Sequence, residues 1–416
     1  MKQFLLFLMM LPLAVAGQES NDSLVSNYDM MPLPIDSDSA DVTPVSYREC
    51  VTLRLDSLMA DSLLETTQMG LMVWDLTADS LLYQHHARHL LRPASVMKVL
   101  TAVTALDRLG PDYRFATSIY YKGSIVQGQL RGDLVCVGGM DPLCAVADVR
   151  ALAKAVRSLG ISSIRGRIVL DTSMKDQEKW GEGWCWDDEN PTLSPLLVDG
   201  KAQFSTLLPR ELRSAGVATG AASVVSGRLP SGATLVGQRW HTLDEVLQQM
   251  MKESDNLFAE SVYYGVAASG GRRPSTAADA QRVERDLIER CGLHGDDYRL
   301  ADGSGLSLYN YLSAELLVQV LRYAWQQPAV YDHLLPALPV AGVDGTLKKR
   351  MVDDPWACGN VQAKTGTVTG VSSLAGYVTA HDGHRLAFAV INQGVRRSSD
   401  GRRFQDRLCH ILCSPR

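Results

Sequence analysis

The chain has 416 residues, 46% hydrophobic and 21% charged, the balance of a globular protein with room for two or three folding units rather than of a disordered chain. A formal net charge of -5 leaves no broad basic surface. Nucleic acid is therefore not an expected partner, nor is a membrane held by electrostatic attraction alone.

Lys2 is followed by an apolar run from Phe4 to Ala16 that ends Ala14-Val15-Ala16. The run is too short to span a bilayer and has the small-x-small ending of a secretory signal, so residues 1–16 read as a cleaved signal peptide and the mature chain as exported, to periplasm or cell envelope. Residues 17–45, rich in Ser, Asp and Pro, read as a flexible linker. No later stretch is apolar enough to predict a transmembrane span. Eight cysteines in an exported chain permit disulfides. A bridge between Cys136 and Cys144 would close a short loop, with buried free thiols the equal alternative. No C-x-x-C occurs, and neither a metal nor an organic cofactor is expected.

From Tyr47 to Leu64 apolar residues recur at helical spacing, and Met69–Leu76 and Ser80–His85 read as two strands around a Thr77-Ala78-Asp79 turn. Pro93 precedes a mostly apolar helix, Ser95 to Leu109, which stops at Gly110-Pro111. The texture then changes to short strand-like runs (Ala116–Tyr121, Ile125–Arg131, Asp133–Val137, Gly166–Leu170) with one helix near Val146–Leu159. Helical pattern returns over Leu243–Gly265, Ala277–Cys291 and Ala314–Ala324. Three strands follow, Val361–Gly366, Ser372–Thr379 and Arg385–Asn392, and a last helix, Arg403–Cys413. The expected architecture is an α/β/α sandwich with an antiparallel central sheet, built from residues 46–110 and 236–416, into which an α+β domain is inserted at 111–235.

Three short motifs stand in order: Ser95-Val96-Met97-Lys98, Ser254-Asp255-Asn256 and Lys364-Thr365-Gly366. Ser95 and Lys98, three apart at a helix start, share one face. A hydroxyl becomes a nucleophile when a base takes its proton, and lysine can be that base where burial or a neighbouring cation such as Lys364 favours its neutral form. Asp255 and Asn256 are poor mid-helix residues, so the second motif marks a corner between helices. There the Ser254 hydroxyl can relay a proton and the Asn256 amide can hold the lysine and a substrate carbonyl. On the strand, Lys364 offers charge for a terminal carboxylate, and Gly366 lets an extended peptide approach beside Thr365. The N–H of Thr367 pairs with that of Ser95 as an oxyanion hole.

With these motifs the sequence resembles the serine penicillin-recognising enzymes, and within them the class C low-molecular-mass penicillin-binding proteins, the D-Ala-D-Ala carboxypeptidase/endopeptidases of peptidase family S13. Gly138-Gly139-Met140-Asp141-Pro142, Gly183-Trp184-Cys185-Trp186-Asp187-Asp188, Asp302-Gly303-Ser304-Gly305-Leu306 and Leu338 to Leu347 carry the same resemblance. It implies a β-lactamase/DD-peptidase-like fold, peptidoglycan stem peptides as substrate, an acyl-enzyme on Ser95, and β-lactam antibiotics as covalent inhibitors. It also implies that Asp141 binds the free amine of a diamino acid in the stem peptide. The insertion is shorter than in the fullest relatives, so one added domain is expected. Two other readings share these residues. A β-lactamase would need a further group to activate the deacylating water, and a non-catalytic penicillin-sensing or wall-binding module would keep the fold without turnover.

Overall fold

The computed structural model describes residues 46–220 and 222–415; the expected signal peptide and linker lie outside the described residues. Helix α1 (Tyr47–Leu58) starts at Ser46, whose hydroxyl and the Glu49 carboxylate cap each other's backbone N–H groups. Strands β1 (Gln68–Asp75) and β2 (Ser80–His85) form a hairpin whose turn is held by Asp75 Oδ1 on the N–H groups of Thr77 and Ala78. They join β9 (Gln362–Val368), β10 (Val371–Thr379) and β11 (Arg385–Gln393) in an antiparallel sheet of order β2-β1-β11-β10-β9. The edge strand is β9, which carries the third motif.

Both faces of this sheet are covered, and the side chains of its inner strands alternate between two separate cores. Leu374, Leu386, Phe388 and Val390 point toward α1 and the C-terminal helix α10 (Ser398–Cys413), meeting Val51, Leu55, Phe404 and Leu408. Ala375, Tyr377, Ala387, Ala389 and Ile391 point the other way. There they pack against α2 (Met97–Leu109), α5 (Leu243–Lys252), α6 (Asn256–Ala268), α7 (Ala277–Arg290), α8 (Ala314–Gln326) and α9 (Pro328–Ala337). Helix α2 is buried on nearly every side, and Val99, Leu100 and Val103 each contribute roughly 1.5–3 kcal/mol from burial. This is the expected three-layer sandwich.

The insertion is a second sheet, order β7-β6-β4-β3-β8, made by β3 (Arg114–Val126), β4 (Gln129–Gly138), β6 (Ile168–Asp171), β7 (Val224–Ser226) and β8 (Thr234–Thr242), with the short β5 (Ser163–Ile164) beside β4. Helices α3 (Val146–Ser158) and α4 (Phe204–Ser214) cover its core. Two expectations change here. Ile125–Arg131 is not a strand but the tip of the long β3–β4 hairpin, turning at Gln127 and Gly128, both at positive φ. The boundary expected at 235 falls inside β8: Arg114 pairs with Thr242, and the Leu243 N–H donates to the Tyr113 carbonyl at 2.9 Å, so the insertion leaves and re-enters the sandwich at one point. Cys136 and Cys144 are both buried free thiols rather than a disulfide, packed as small apolar groups in the insertion core. No helix among the described residues is long and apolar enough to cross a membrane.

Candidate active site

Pro93 ends the chain's extended approach, and a single 3₁₀ turn, Ala94–Val96, feeds directly into α2. Ala94 sits at φ 51, a left-handed conformation that a non-glycine residue adopts only under tertiary constraint. The turn leaves Ser95 partly exposed, whereas Lys98, one turn further, is wholly buried.

The Lys98 Nζ is 3.0 Å from Ser95 Oγ, 2.7 Å from Asn256 Oδ1 and 2.7 Å from the Ser304 carbonyl oxygen. An amide oxygen and a backbone carbonyl can only accept. A neutral amine has two N–H donors and one lone pair, so these two acceptors take both donors and leave the lone pair facing the Ser95 hydroxyl. Burial holds the Lys98 pKa down to about 8, with the carboxylates of Asp302, Glu260 and Asp255 pulling the other way.

The Ser304 carbonyl is itself fixed. Glu260, one turn after Asn256 on α6 and buried, accepts from the N–H groups of Gly303 (3.2 Å) and Ser304 (2.9 Å). Asp302 accepts from Gly305 N, Ser307 N, the Asn310 amide and the Trp184 indole, each within 2.8 Å. The Asp302–Ser307 loop is thus a rigid shelf under the catalytic turn. Burial, with the nearby charge of Asp302, pushes Glu260 up to about 8.

Helices α5 and α6 meet at Glu253–Asp255, the corner expected from the second motif. Ser254 is at φ 62, and Asp255 caps α6 by accepting from Phe258 N at 3.2 Å. Ser254 Oγ accepts from Lys364 Nζ at 2.8 Å, and the same ammonium reaches the Thr365 carbonyl at 2.7 Å. The two serines and two lysines of the motifs, with Asn256, therefore form one connected group. Strand β9 lies hard against the catalytic turn: a Cβ on Gly366 would fall 2.2 Å from Ser373 Oγ, 2.9 Å from the Pro93 carbonyl and 3.0 Å from Ser95 N. The Ala363 N–H points off the sheet to the Pro339 carbonyl, so the two-residue repeat turns the Thr367 N–H to that same open edge. Ser95, Ser254, Thr365, Gly366 and Thr367 line a cleft of about 340 Å³ together with Thr346, Arg350, Ser372, Ser373, Arg402 and Gln405.

Two residues expected to meet the substrate have their charged groups away from the open cleft. Asp141 is not at the cleft: it is fully buried in the insertion, with Oδ2 2.8 Å from His241 Nδ1 and Oδ1 accepting from Leu143 N at 3.1 Å. Lys364 is equally inaccessible, and its charge faces Ser254 rather than the open cleft. Sequence reasoning missed Glu260 as a support, although its place four residues after Asn256 on one helix face was available. It also missed Arg350 and Arg402, which no spacing connects to the motifs. The tryptophans divide: Trp184 is buried on Asp302, while Trp180 and Trp186 are exposed. No group of three His, Cys, Asp or Glu side chains among the described residues is placed to hold a metal.

The fold is that of penicillin-binding protein 4 from Haemophilus influenzae, whose crystal structure superimposes with a TM-score of 0.78 at 24% identity, covering 86% of this chain and 98% of that one. In sequence the chain is 34% identical over 379 residues to "Carboxypeptidase DacB" of Mycolicibacterium smegmatis, covering 82% of this chain and 79% of the relative. It is 24% identical over 420 residues to "D-alanyl-D-alanine carboxypeptidase DacB" of Haemophilus influenzae, covering 81% and 87%. The profile of the D-Ala-D-Ala carboxypeptidase 3 (S13) family matches residues 51–197 and 191–413, nearly all of both the sandwich and the insertion, and the chain belongs to that family.

Proposed function

We propose that the chain is an exported serine-type D-alanyl-D-alanine carboxypeptidase/endopeptidase that cleaves peptidoglycan stem peptides through an acyl-enzyme on Ser95, and that β-lactams acylate the same oxygen. The observation that carries this reading is the lone-pair geometry of Lys98, whose two obligatory acceptors, Asn256 Oδ1 and the Ser304 carbonyl, leave its third direction to Ser95 Oγ.

In this reading neutral Lys98 takes the Ser95 proton as Oγ attacks the carbonyl carbon of the penultimate D-alanine. The negative charge that develops on the carbonyl oxygen meets the N–H groups of Ser95 and Thr367, across the close approach that Gly366 permits. As the C–N bond breaks, the Ser254 hydroxyl gives its proton to the leaving amine. Lys364, donating to Ser254 Oγ at 2.8 Å, stabilises the oxygen that loses it. The proton that Lys98 took from Ser95 then passes to Ser254, restoring that hydroxyl and the neutral amine. Water attacks the ester, Lys98 takes a proton from it, and that proton goes to Ser95 Oγ as the acyl C–O bond breaks. The periplasm or cell envelope is where such a substrate is found.

Incubation with benzylpenicillin, read by intact-mass spectrometry, is expected to give one adduct, on Ser95. Ser95→Ala is expected to remove both that adduct and D-alanine release from an acyl-D-Ala-D-Ala peptide. An unmodified mass, or peptidase activity retained in Ser95→Ala, overturns the proposal.

A further inference from the structure

The activity proposed above, on which this inference rests, acts on one end of a stem peptide whose other end is joined to a glycan strand. The cleft receives the peptide, and a second surface beside it has the chemistry to receive the sugars. Residues 180–190 leave the insertion and rest on the shelf that steadies Lys98. Trp184 is buried there with its indole N–H on Asp302 Oδ2 at 2.7 Å, and Glu182 pairs with Arg299 at 3.1 Å. Gly183, at φ 74, is packed so closely that a Cβ would fall 2.6 Å from the Tyr309 ring and 2.8 Å from Ser307 Oγ.

Two tryptophans of this turn are left outside. Trp186 is 84% exposed, and Trp180 is exposed as well, as is the Tyr309 ring against Gly183. The turn around Trp186 is nevertheless fixed. Cys185 N donates to Asp188 Oδ2 at 3.2 Å, and the Cys185 carbonyl accepts from Asp188 N at 3.2 Å and from Asn190 Nδ2 at 2.7 Å. The backbone on both sides of Trp186 is therefore pinned while its indole stands in water. Aromatic rings held out in this way mark a surface that is covered when a ligand binds.

The polar groups around the rings narrow down that ligand. The Arg299 guanidinium lies 4.6 Å over the Tyr309 ring, and Glu182 matches its charge. The remaining charged side chains from 186 to 190, Asp187, Asp188 and Glu189, are exposed acids. Such a rim repels anions and accepts from hydroxyl and N–H donors. A pyranose offers an apolar C–H face to a ring and hydroxyl and acetamido donors at its edge. In intact peptidoglycan it is also uncharged, because the lactyl carboxyl is spent in the amide to the stem. We propose that Trp186, with Trp180 and Tyr309, is a platform on which the N-acetylated sugars of the glycan strand stack, and that it makes the enzyme prefer stem peptides still attached to glycan. The cleft reads the end of the peptide and the platform reads its attachment, with the Asp302–Ser307 shelf as the rigid link between them.

The test uses two substrates that end alike, a free stem pentapeptide and the same pentapeptide joined to its disaccharide. Trp186→Ala is expected to lower kcat/KM for the disaccharide-bearing substrate about tenfold and to leave the free peptide within about twofold, with Trp186→Phe in between. Trp180→Ala should give the same pattern to a smaller extent, and neither variant should move Tm, since both rings are exposed. In the Ser95→Ala background, calorimetry with the neutral tetramer of N-acetylglucosamine is expected to show binding that Trp186→Ala removes. Equal kinetic losses on both substrates would reduce Trp186 to a structural residue, and no loss on either would leave the platform without a glycan. Tetramer binding unaffected by Trp186→Ala would place the sugars elsewhere, and each of these three outcomes overturns the proposal. Failure of penicillin to label Ser95 would sink the proposed activity instead, and the calorimetric result, which needs no acyl-enzyme, would be read separately.

Discussion

Helix outweighs strand in the sandwich and strand outweighs helix in the insertion, and the two regions also use their polar groups in opposite ways. In the sandwich, polar side chains converge: buried Lys98 and Lys364 and half-buried Asn256 and Ser254 come from a helix, a helix–helix corner and an edge strand to a single point. In the insertion they pair within the domain. Asp141 engages His241, Asp171 accepts from Ser173 N and Leu229 N, and Asp133 binds Arg167. A polar group that holds a loop in place is already satisfied, whereas a catalytic one must keep a direction open. The open directions, the lone pair of Lys98 toward Ser95 and the Thr367 N–H at the free edge of β9, are both in the sandwich.

The sharpest way to test that contrast is to close one of those directions without removing the fold. Lys98→Met keeps the length and apolar stem of the side chain and loses the base. Acylation by benzylpenicillin, followed by stopped-flow or quench, is expected to slow by about 10³- to 10⁴-fold, with the melting transition still cooperative. Acylation within tenfold of the parent would show that another group deprotonates Ser95. Next in size is Gly366→Val. The added Cβ would lie 2.2 Å from Ser373 Oγ and 3.0 Å from Ser95 N, forcing β9 off the catalytic turn and moving the Thr367 N–H. Loss of one oxyanion donor is worth about 10²–10³ in kcat, so kcat should fall by about that factor. A drop confined to KM would mean that only substrate entry is hindered.

How much of this was readable before the structure follows from the same contrast. Strands β10 and β11 are covered on both faces, so their residues form nearly unbroken apolar runs bounded by a polar turn, and their limits were found within a residue or two. The motif residues were legible because each has a local reason for its place: a helix start, a corner that Asp255 and Asn256 favour, an edge strand. The insertion was less legible. Its long β3–β4 hairpin reads as fragments because Gly123 and Gly132 face one another across it, where a Cβ on either would come within 2.3 Å of the opposite backbone. Helix α4 carries Pro209, and α9 opens on Pro328, so both were passed over. Arg402 could not be found from sequence, since only tertiary packing brings α10 to the cleft.

The pH dependence sharpens the comparison from the side of the sandwich. The neutral form of Lys98 is the reactive one, and burial holds its pKa to about 8. Each pH unit below that value cuts the neutral fraction roughly tenfold. The rate of acylation under kcat/KM conditions should therefore rise through about pH 8 and level off above it. A profile flat from pH 6 to 9 would contradict the assignment of Lys98 as base. The same depression affects stability with a definite sign. Between about 8 and the ordinary lysine value of 10.5 the unfolded chain binds the proton that the folded chain has released, so this group's contribution makes the fold more stable as pH rises through that window and is constant below it.

The smallest catalytic effect is expected in the insertion. Asp141→Ala removes the acceptor from Leu143 N and the partner of His241 Nδ1 in a buried setting. Leaving such groups without a partner costs about 1–3 kcal/mol, which in a chain of this size lowers Tm by a few degrees. No direction toward the cleft is lost, because Asp141 does not line it. Activity should then stay within about twofold on a simple acyl-D-Ala-D-Ala peptide and on one carrying a diamino acid with a free amine, measured side by side by D-alanine release. A tenfold loss confined to the second substrate, with Tm unchanged, would mean that the insertion opens during turnover and brings Asp141 to the substrate. The division of labour between the two regions would then hold only for the resting enzyme.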